Sequence, residues 1–276
     1  IKGEILSMKS FKKILVLILS ISIISIFFTG CTVKKTSGTD DSLERIKKAG
    51  VITVGIDDTY PPMEFKNKSS VDVGFDVDMA NAVAKKIGVK AKFIPTAWDG
   101  IFMALQSKKF DCVHSSVSIT DERKAKMIFT DPYIQGGNAI FVKSDNNTIT
   151  SDKDFSGKVI GCQVGTTAQD VLSKKTDIKE VKKYNAMTDA FLDLENGRVV
   201  AVVTDPMVGD YYNVTEPGKF KKLKSYLTQE PIGVAFRKSD KSLRDAYNKA
   251  IKDLKNDGTL SKISKKWFGI DIYSGK

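Results

Sequence analysis

Residues 111–133 read DCVHSSVSITDERKAKMIFTDPY, and the fold is decided by how this stretch divides. Cys112, Val113 and His114 lead an apolar strand into Ser115-Ser116-Val117-Ser118. Thr120 then has the chemistry of a helix N-cap, with Asp121 and Glu122 in the first turn, where negative charge suits the helix dipole. A strand that stops at serines and opens into a helix gathers unpaired backbone N–H groups at one point, which is an anion site. Arg123 falls in the first helical turn, where its planar fork reaches the same point and can hold a carboxylate through two parallel hydrogen bonds. The stretch KVIGCQVGTTAQDVL (158–172) repeats the pattern: an apolar strand breaks at Gly165-Thr166-Thr167 and a helical period follows. Two such strand-to-helix turns can face each other across a cleft.

Outward from 111–133, toward the N-terminus, VITVGI (51–56) alternates like a strand and delivers the turn cluster Asp57-Asp58-Thr59-Tyr60-Pro61-Pro62. Residues 73–88 carry apolar side chains at helical spacing up to a stop at Gly88. KAKFIPT (90–96) is a second strand, and Trp98-Asp99-Gly100 opens another helix. With FDCVHSSVS as the third strand, this βαβαβ run predicts a parallel sheet. Ligand-binding groups of open α/β sheets gather at the carboxyl ends of strands, which makes Asp57 and Tyr60 candidates. Trp98, at the start of a helix, is placed to wall a cleft.

Toward the C-terminus, Ile134–Val142 is a long strand. A second unit follows: a strand at 159–164, helix near 168–174, strand 181–185, helix 188–197 and strand 199–205. Asp205 ends that last strand, where a carboxylate can pair with an ammonium group. PIGVAF (231–236) is a strand running back, and helices at 240–256 and 258–267 return the chain to the first lobe. The expected division is 43–138 plus 232–276 for a discontinuous first lobe and 139–231 for the second. Extended segments near 136–143 and 228–236 cross between them as a hinge.

The chain has 276 residues, enough for two compact domains. From Met8 the N-terminus has the form of a signal peptide: a basic start at Lys9, Lys12 and Lys13, then fifteen mostly apolar residues from Ile14 to Phe28. Residues 1–7 are set aside with the leader. Phe28-Thr29-Gly30-Cys31 is similar to the lipobox of bacterial lipoproteins, with Phe28 where an aliphatic residue is usual. Cys31 is then the expected site of a diacylglyceryl thioether, whose two acyl chains anchor stably. Residues 31–42 are expected to be a lipidated flexible tether. No later run reaches membrane-spanning length, so the mature protein is expected outside the cytoplasmic membrane and tied to its face.

Net charge is +11, and about +8 once residues 1–30 are removed. The lysines are scattered, with no aromatic interleaving, which argues against nucleic acid and for a basic protein beside an anionic envelope. Cys112 and Cys162 sit in apolar strands in different lobes and read as buried thiols. His114 is the only histidine, so no metal is expected.

At this point the residues resemble the polar amino acid-binding proteins of bacterial ABC importers, solute-binding protein family 3. The resemblance covers nearly all of 43–270. It rests on VGIDDTYPPMEF (54–65), VGFDVDMANAVAKKIG (73–88), WDGIFMALQSKKFD (98–111), SSVSITDERK (115–124), FTDPY (129–133), GKVIGCQVGTT (157–167) and LRDAYNKAIKDLKNDGTLSKISKKWFG (243–269). It implies a two-lobed type II periplasmic-binding-protein-like α/β fold whose lobes are joined by two hinge strands. Carried over by position, the ligand's α-carboxylate falls to Arg123 with the amides of Ser118 and Thr167. Its α-ammonium falls to Asp205, the Ser116 carbonyl and the Ser118 hydroxyl. The side-chain pocket is Asp57, Tyr60, Trp98, Ser115, Gln163 and Thr166.

The implied activity is capture without chemistry or cofactor, by a monomer that passes an amino acid to an ABC permease. One carboxylate beside two aromatic faces suits arginine or lysine; cystine comes next, then glutamine or histidine. A dehydratase of small carboxylic acids on the same fold is the enzymatic rival, against which stands the lack of a nucleophile–base pair. A sensory lipoprotein serving no transporter is the third class.

Overall fold

The computed structural model describes residues 40–274. Leader, lipobox and Cys31 lie outside the described residues. Asp40–Ser42, which the sequence assigned to the tether, belong to the fold. Asp40 accepts hydrogen bonds from both the amide and the hydroxyl of Ser42 and from the amide of Ser242, and Ser42 is buried at the start of helix α1 (Ser42–Ala49).

Alternation in VITVGI makes strand β1 (Val51–Ile56). Its parallel partners are β5 (Lys90–Pro95) on one side and β6 (Cys112–Ser118) on the other. The crossovers are helices α2 (Phe75–Ile87) and α3 (Trp98–Gln106). Helix α2 begins two residues later than its apolar period suggests. Gly74 has φ 141°, and a Cβ there would lie 2.1 Å from the Met63 carbonyl oxygen, so this position turns the chain rather than starting the helix. A small antiparallel sheet of β2 (Thr59–Tyr60), β3 (Glu64–Lys66) and β4 (Asp72–Val73) lies between β1 and α2, absent from the expectation. Helix α4 (Asp121–Lys126) leads into β7 (Met127–Phe129), also unforeseen.

Two long strands join the lobes. β8 (Ile134–Lys143) and β12 (Phe220–Arg237) pair antiparallel along most of their length, with irregularities near Tyr226 and Thr228. β12 has eighteen residues where the sequence placed an extended segment only near 228–236, because the lysine-rich run from Phe220 stays paired to β8. In the second lobe β9 (Val159–Gln163) is flanked by β10 (Glu180–Tyr184) and β11 (Ala201–Thr204), both parallel to it, while β11 meets β8 antiparallel. One sheet therefore runs β10-β9-β11-β8-β12-β6-β1-β5, with the crossing strands at its middle. Helices α5 (Thr167–Ser173), α6 (Met187–Glu195) and α7 (Pro206–Thr215) serve the second lobe. Helices α8 (Lys241–Asn256) and α9 (Thr259–Phe268) pack back onto α2.

Strand periodicity decides the cores. Ile140 and Val142 pack with Ile160, Leu172 and Val203 on one face, while the intervening Phe141 joins the other face with Phe191 and Val202. In the first lobe Val113 and Val117 pack under α3 with Ile101, Leu105 and Phe110. Cys112 and Cys162 are free and buried; burial pushes the Cys162 thiol up to about 12. His114 is fully buried, its Nδ1 2.8 Å from the Tyr247 hydroxyl.

Candidate functional site

The carboxyl ends of β1, β6, β9 and β11 converge on one cavity between the lobes. All eleven residues singled out in the sequence as ligand contacts line it: Asp57, Tyr60, Trp98, Ser115, Ser116, Ser118, Arg123, Gln163, Thr166, Thr167 and Asp205. Glu64, Asn138, Ala168, Met187, Val203 and Thr204 line it too, and sequence reasoning passed over them. Glu64 lies within the quoted YPPMEF run, but nothing local marks that acid as inward-facing. Asn138 carries no signal beyond its place in a crossing strand.

Arg123 is placed by the turn that the sequence predicts. The Thr120 hydroxyl accepts from the Arg123 amide at 3.2 Å, which caps α4. The guanidinium donates through Nη1 to the Ser118 carbonyl at 3.0 Å and lies over Phe102 (4.9 Å to the ring centre) and Trp98 (5.6 Å). Burial lowers its pKa, against the upward pull of Glu230, Asp170 and Asp205; a guanidinium stays charged through such a shift. It forms no salt bridge among the described residues. In the preceding strand, β6, Ser116 sits at φ 48°, and its amide and hydroxyl donate to Asp76 Oδ2 at 2.7 and 3.1 Å. Left-handed backbone at a β-strand serine is strained and marks a local constraint.

The opposite wall begins at Asp205, at the end of β11. Its Oδ1 accepts from the Gly137 amide and its Oδ2 from the Tyr60 hydroxyl, both at 3.0 Å. Burial raises its pKa to about 6, while the Gly137 and Tyr60 hydrogen bonds pull it down. Backbone reaches the carboxylate only because the crossing strand has two glycines here. A Cβ on Gly136 would meet Asp205 Oδ1 at 2.6 Å, and Gly137 at φ 138° would meet the Thr228 carbonyl oxygen at 2.3 Å. Asp205 is at the N-cap position of α7 but makes no capping bond, so its carboxylate faces the cavity. Thr166 caps α5, accepting from the Gln169 amide. The Thr167 hydroxyl donates to Glu230 Oε2 at 2.8 Å and accepts from Asn138 Nδ2 at 3.1 Å, tying the start of α5 to both crossing strands.

The lobes are closed on each other. Tyr60 contacts Asp205 and, at 3.1 Å, Thr204 Oγ1; Trp98 Nε1 donates to the Gly165 carbonyl at 3.0 Å; Gln163 Nε2 donates to Asp57 Oδ2. Away from the cavity Phe65 meets Tyr211 across the same gap, with ring centres 5.9 Å apart. Asp57 is buried, and its Oδ1 also accepts from the Thr59 amide and hydroxyl. Burial raises its pKa, with the hydrogen bonds from Thr59 and Gln163 opposing. Ser115 accepts from the Asp57 amide at 3.0 Å and donates to Glu64 Oε1 at 2.6 Å. It therefore ties the Asp57 backbone to the Glu64 carboxyl as well as walling the cavity.

Chemically, the cavity offers a cation on one lobe, an anion on the other, and two further acids with aromatic walls between. Neither cysteine nor His114 lines it. No cluster suited to a metal ion, and no helix long and apolar enough to cross a membrane, occurs among the described residues.

The curated relatives that match include the L-cystine-binding protein TcyJ of Escherichia coli K12, 35% identical over 240 residues (86% of this chain, 90% of TcyJ). L-cystine-binding protein TcyA of Bacillus subtilis is 39% identical over 230 residues (82% of this chain, 84% of TcyA). Among solved structures, an ancestral arginine-binding protein bound to arginine superposes with a TM-score of 0.75 at 43% identity, covering 80% of this chain and 99% of that one. These neighbours are amino acid-binding proteins of the two-lobed type II fold. The profile of one family matches residues 52–270, which takes in both lobes and every residue of the cavity. The chain belongs to the bacterial extracellular solute-binding proteins, family 3.

Proposed function

We propose that this chain is the extracytoplasmic, lipid-anchored binding component of an ABC importer and that it captures a cationic amino acid, arginine or lysine. The observation that carries the cationic reading is the acid excess of the cavity wall: three carboxyl groups, on Asp57, Glu64 and Asp205, stand against one base, Arg123. A neutral amino acid brings one charge of each sign and leaves that excess unanswered. An arginine brings a second cation. Unpaired charges inside a closed cavity are costly, so a ligand whose second cation answers one of the two surplus acids is favoured over a neutral one.

In this reading the zwitterion docks first on Arg123, with the amide of Ser118. Closure about β8 and β12 then brings the Thr167 amide to the carboxylate and Asp205 to the ammonium, with the Ser116 carbonyl and Ser118 hydroxyl completing its partners. The moving bodies are 43–138 plus 232–276 and 139–231. Asp57, Tyr60, Trp98, Ser115, Gln163 and Thr166 surround the side chain. Closure is driven only by the ligand's greater affinity for the closed state. The closed monomer, held to the membrane through lipid on Cys31, delivers its cargo to a permease, and no covalent step or cofactor is involved.

Cystine is the second reading, favoured by the names of the two relatives at 35% and 39% identity. Calorimetry with arginine, lysine, cystine, glutamine and histidine separates these. Tight binding of arginine or lysine supports the cationic reading, and binding of cystine alone overturns it. Loss of radiolabelled uptake in a deletion strain supports import; unchanged uptake points to a sensor. Release of a Cys31→Ala variant into the medium supports the anchor, and retention on the membrane refutes it.

A further inference from the structure

Glu64 carries a buried oxygen that the cavity's proposed contacts leave unused. The residue is fully buried, its Oε1 accepts the Ser115 hydroxyl at 2.6 Å, and its Oε2 has no partner. Beside it on α2 is a second fully buried acid, Asp76, which is well served: it accepts from the Ser116 amide (2.7 Å), the Ser116 hydroxyl (3.1 Å) and the Tyr133 hydroxyl (2.8 and 2.9 Å to its two oxygens). No lysine or arginine pairs with either acid among the described residues. Two neighbouring carboxyls so enclosed cannot both ionise at low cost, and one proton between them gives Oε2 its missing partner. The carboxyl that lacks a partner is Glu64, so the proton belongs there.

We propose that Glu64 and Asp76 form a proton site in the cavity wall, which gives up its proton when the side-chain cation of the ligand enters. This rests on the cationic reading above. The exchange balances: one proton leaves to solvent, one cation takes its place beside Glu64 Oε2, and the charge of the buried group is conserved. Asp57, the other acid near the side chain, already accepts three hydrogen bonds from Thr59 and Gln163, whereas Oε2 accepts none.

The groups around the pair point the same way. Burial raises Glu64 well above the usual carboxylate range, and Asp76 and then Asp57 raise it further, against the Ser115 hydrogen bond. From β6, His114 places Nε2 3.6 Å from Asp76 Oδ1 with no hydrogen-bond partner, and Tyr247 of α8 occupies the other ring nitrogen. Asp205 and Tyr60 close the cavity side, and Arg123 is the one arginine or lysine lining the cavity. Tyr273, near the C-terminus, feels Asp76 from behind.

The test is calorimetry of the whole mature chain at about pH 7 with arginine and with glutamine, each in phosphate and in Tris, whose ionisation heats differ widely. Release of about one proton per arginine makes the observed heat depend on the buffer in proportion, and raises affinity up to about tenfold per pH unit in that range. Glutamine heats are then independent of buffer. Glu64→Gln binds arginine with no buffer dependence; should that variant not fold, the arginine–glutamine comparison in the parent decides. Equal arginine heats in both buffers, the same dependence with glutamine, or its persistence in folded E64Q overturns the proton site while leaving the cationic reading intact. Failure of both arginine and lysine to bind overturns that reading and this inference with it.

Discussion

Replacing Arg123 with alanine isolates the first half of the proposed grip. The side chain spans from the first turn of α4 to the cavity, held by the Ser118 carbonyl at 3.0 Å and by the faces of Phe102 and Trp98. With the side chain cut back to a methyl group, a ligand carboxylate in the closed cavity would keep only the amides of Ser118 and Thr167 and would be buried short of its counter-charge. Truncating one partner of a buried, hydrogen-bonded charge pair costs about 2–5 kcal/mol, a rise in Kd of about 30- to 5,000-fold. Arg123→Lys keeps the charge but loses the two-pronged geometry and much of the aromatic contact, so its affinity should fall between those of the parent and the alanine variant, nearer to the latter. Titration calorimetry with the tightest-binding amino acid reads both variants, with thermal melts to verify folding. If folded R123A binds within about threefold of the parent, Arg123 does not clamp the carboxylate, and the assignment fails.

Three further outcomes test other parts of the grip. Trp98→Phe loses a hydrogen bond from its ring to the Gly165 carbonyl that joins the two lobes, so affinity for every ligand should fall by about fivefold or more by calorimetry. Tyr211→Ala removes the Phe65 contact outside the cavity and should weaken all ligands by about twofold to tenfold, with small-angle scattering showing a more open unliganded protein. Asp205, raised by burial to about 6, favours the closed fold while protonated. That contribution is complete below the ordinary carboxylate pKa and is lost as pH rises through about 6. The ammonium group needs the ionised form, so affinity for neutral and cationic amino acids alike should decline below about pH 6. Asp205→Asn should bind weakly and without that decline.

The parts of this molecule that sequence made legible are those written in local chemistry. Thr120 and Thr166 cap helices through bonds three residues long, and Gly88 and Gly165 take the left-handed turns their positions suggest. Strand ends could be read because apolar runs stop at polar residues, which placed Asp57, Ser118, Thr167 and Asp205 near the cavity. What escaped is non-local. Strands β2 to β4 have two or three residues each, too short to show a period, yet they carry Glu64 into the wall. The run Phe220–Tyr226 is dominated by lysines, and its pairing with β8 follows from the partner strand rather than its own apolar pattern. Glu230 and Asn138 reach Thr167 from sixty-three and twenty-nine residues away, beyond any local spacing rule.

The central claim is that the ligand's own head group bridges the lobes, carboxylate to Arg123 and ammonium to Asp205. Calorimetric comparison of arginine with agmatine, which lacks the carboxylate, and with 5-guanidinopentanoic acid, which lacks the ammonium, tests it most directly. Arginine should bind at least about a hundredfold more tightly than either analogue. Agmatine binding as tightly as arginine would show that the cavity grips the side chain alone, and would contradict the account.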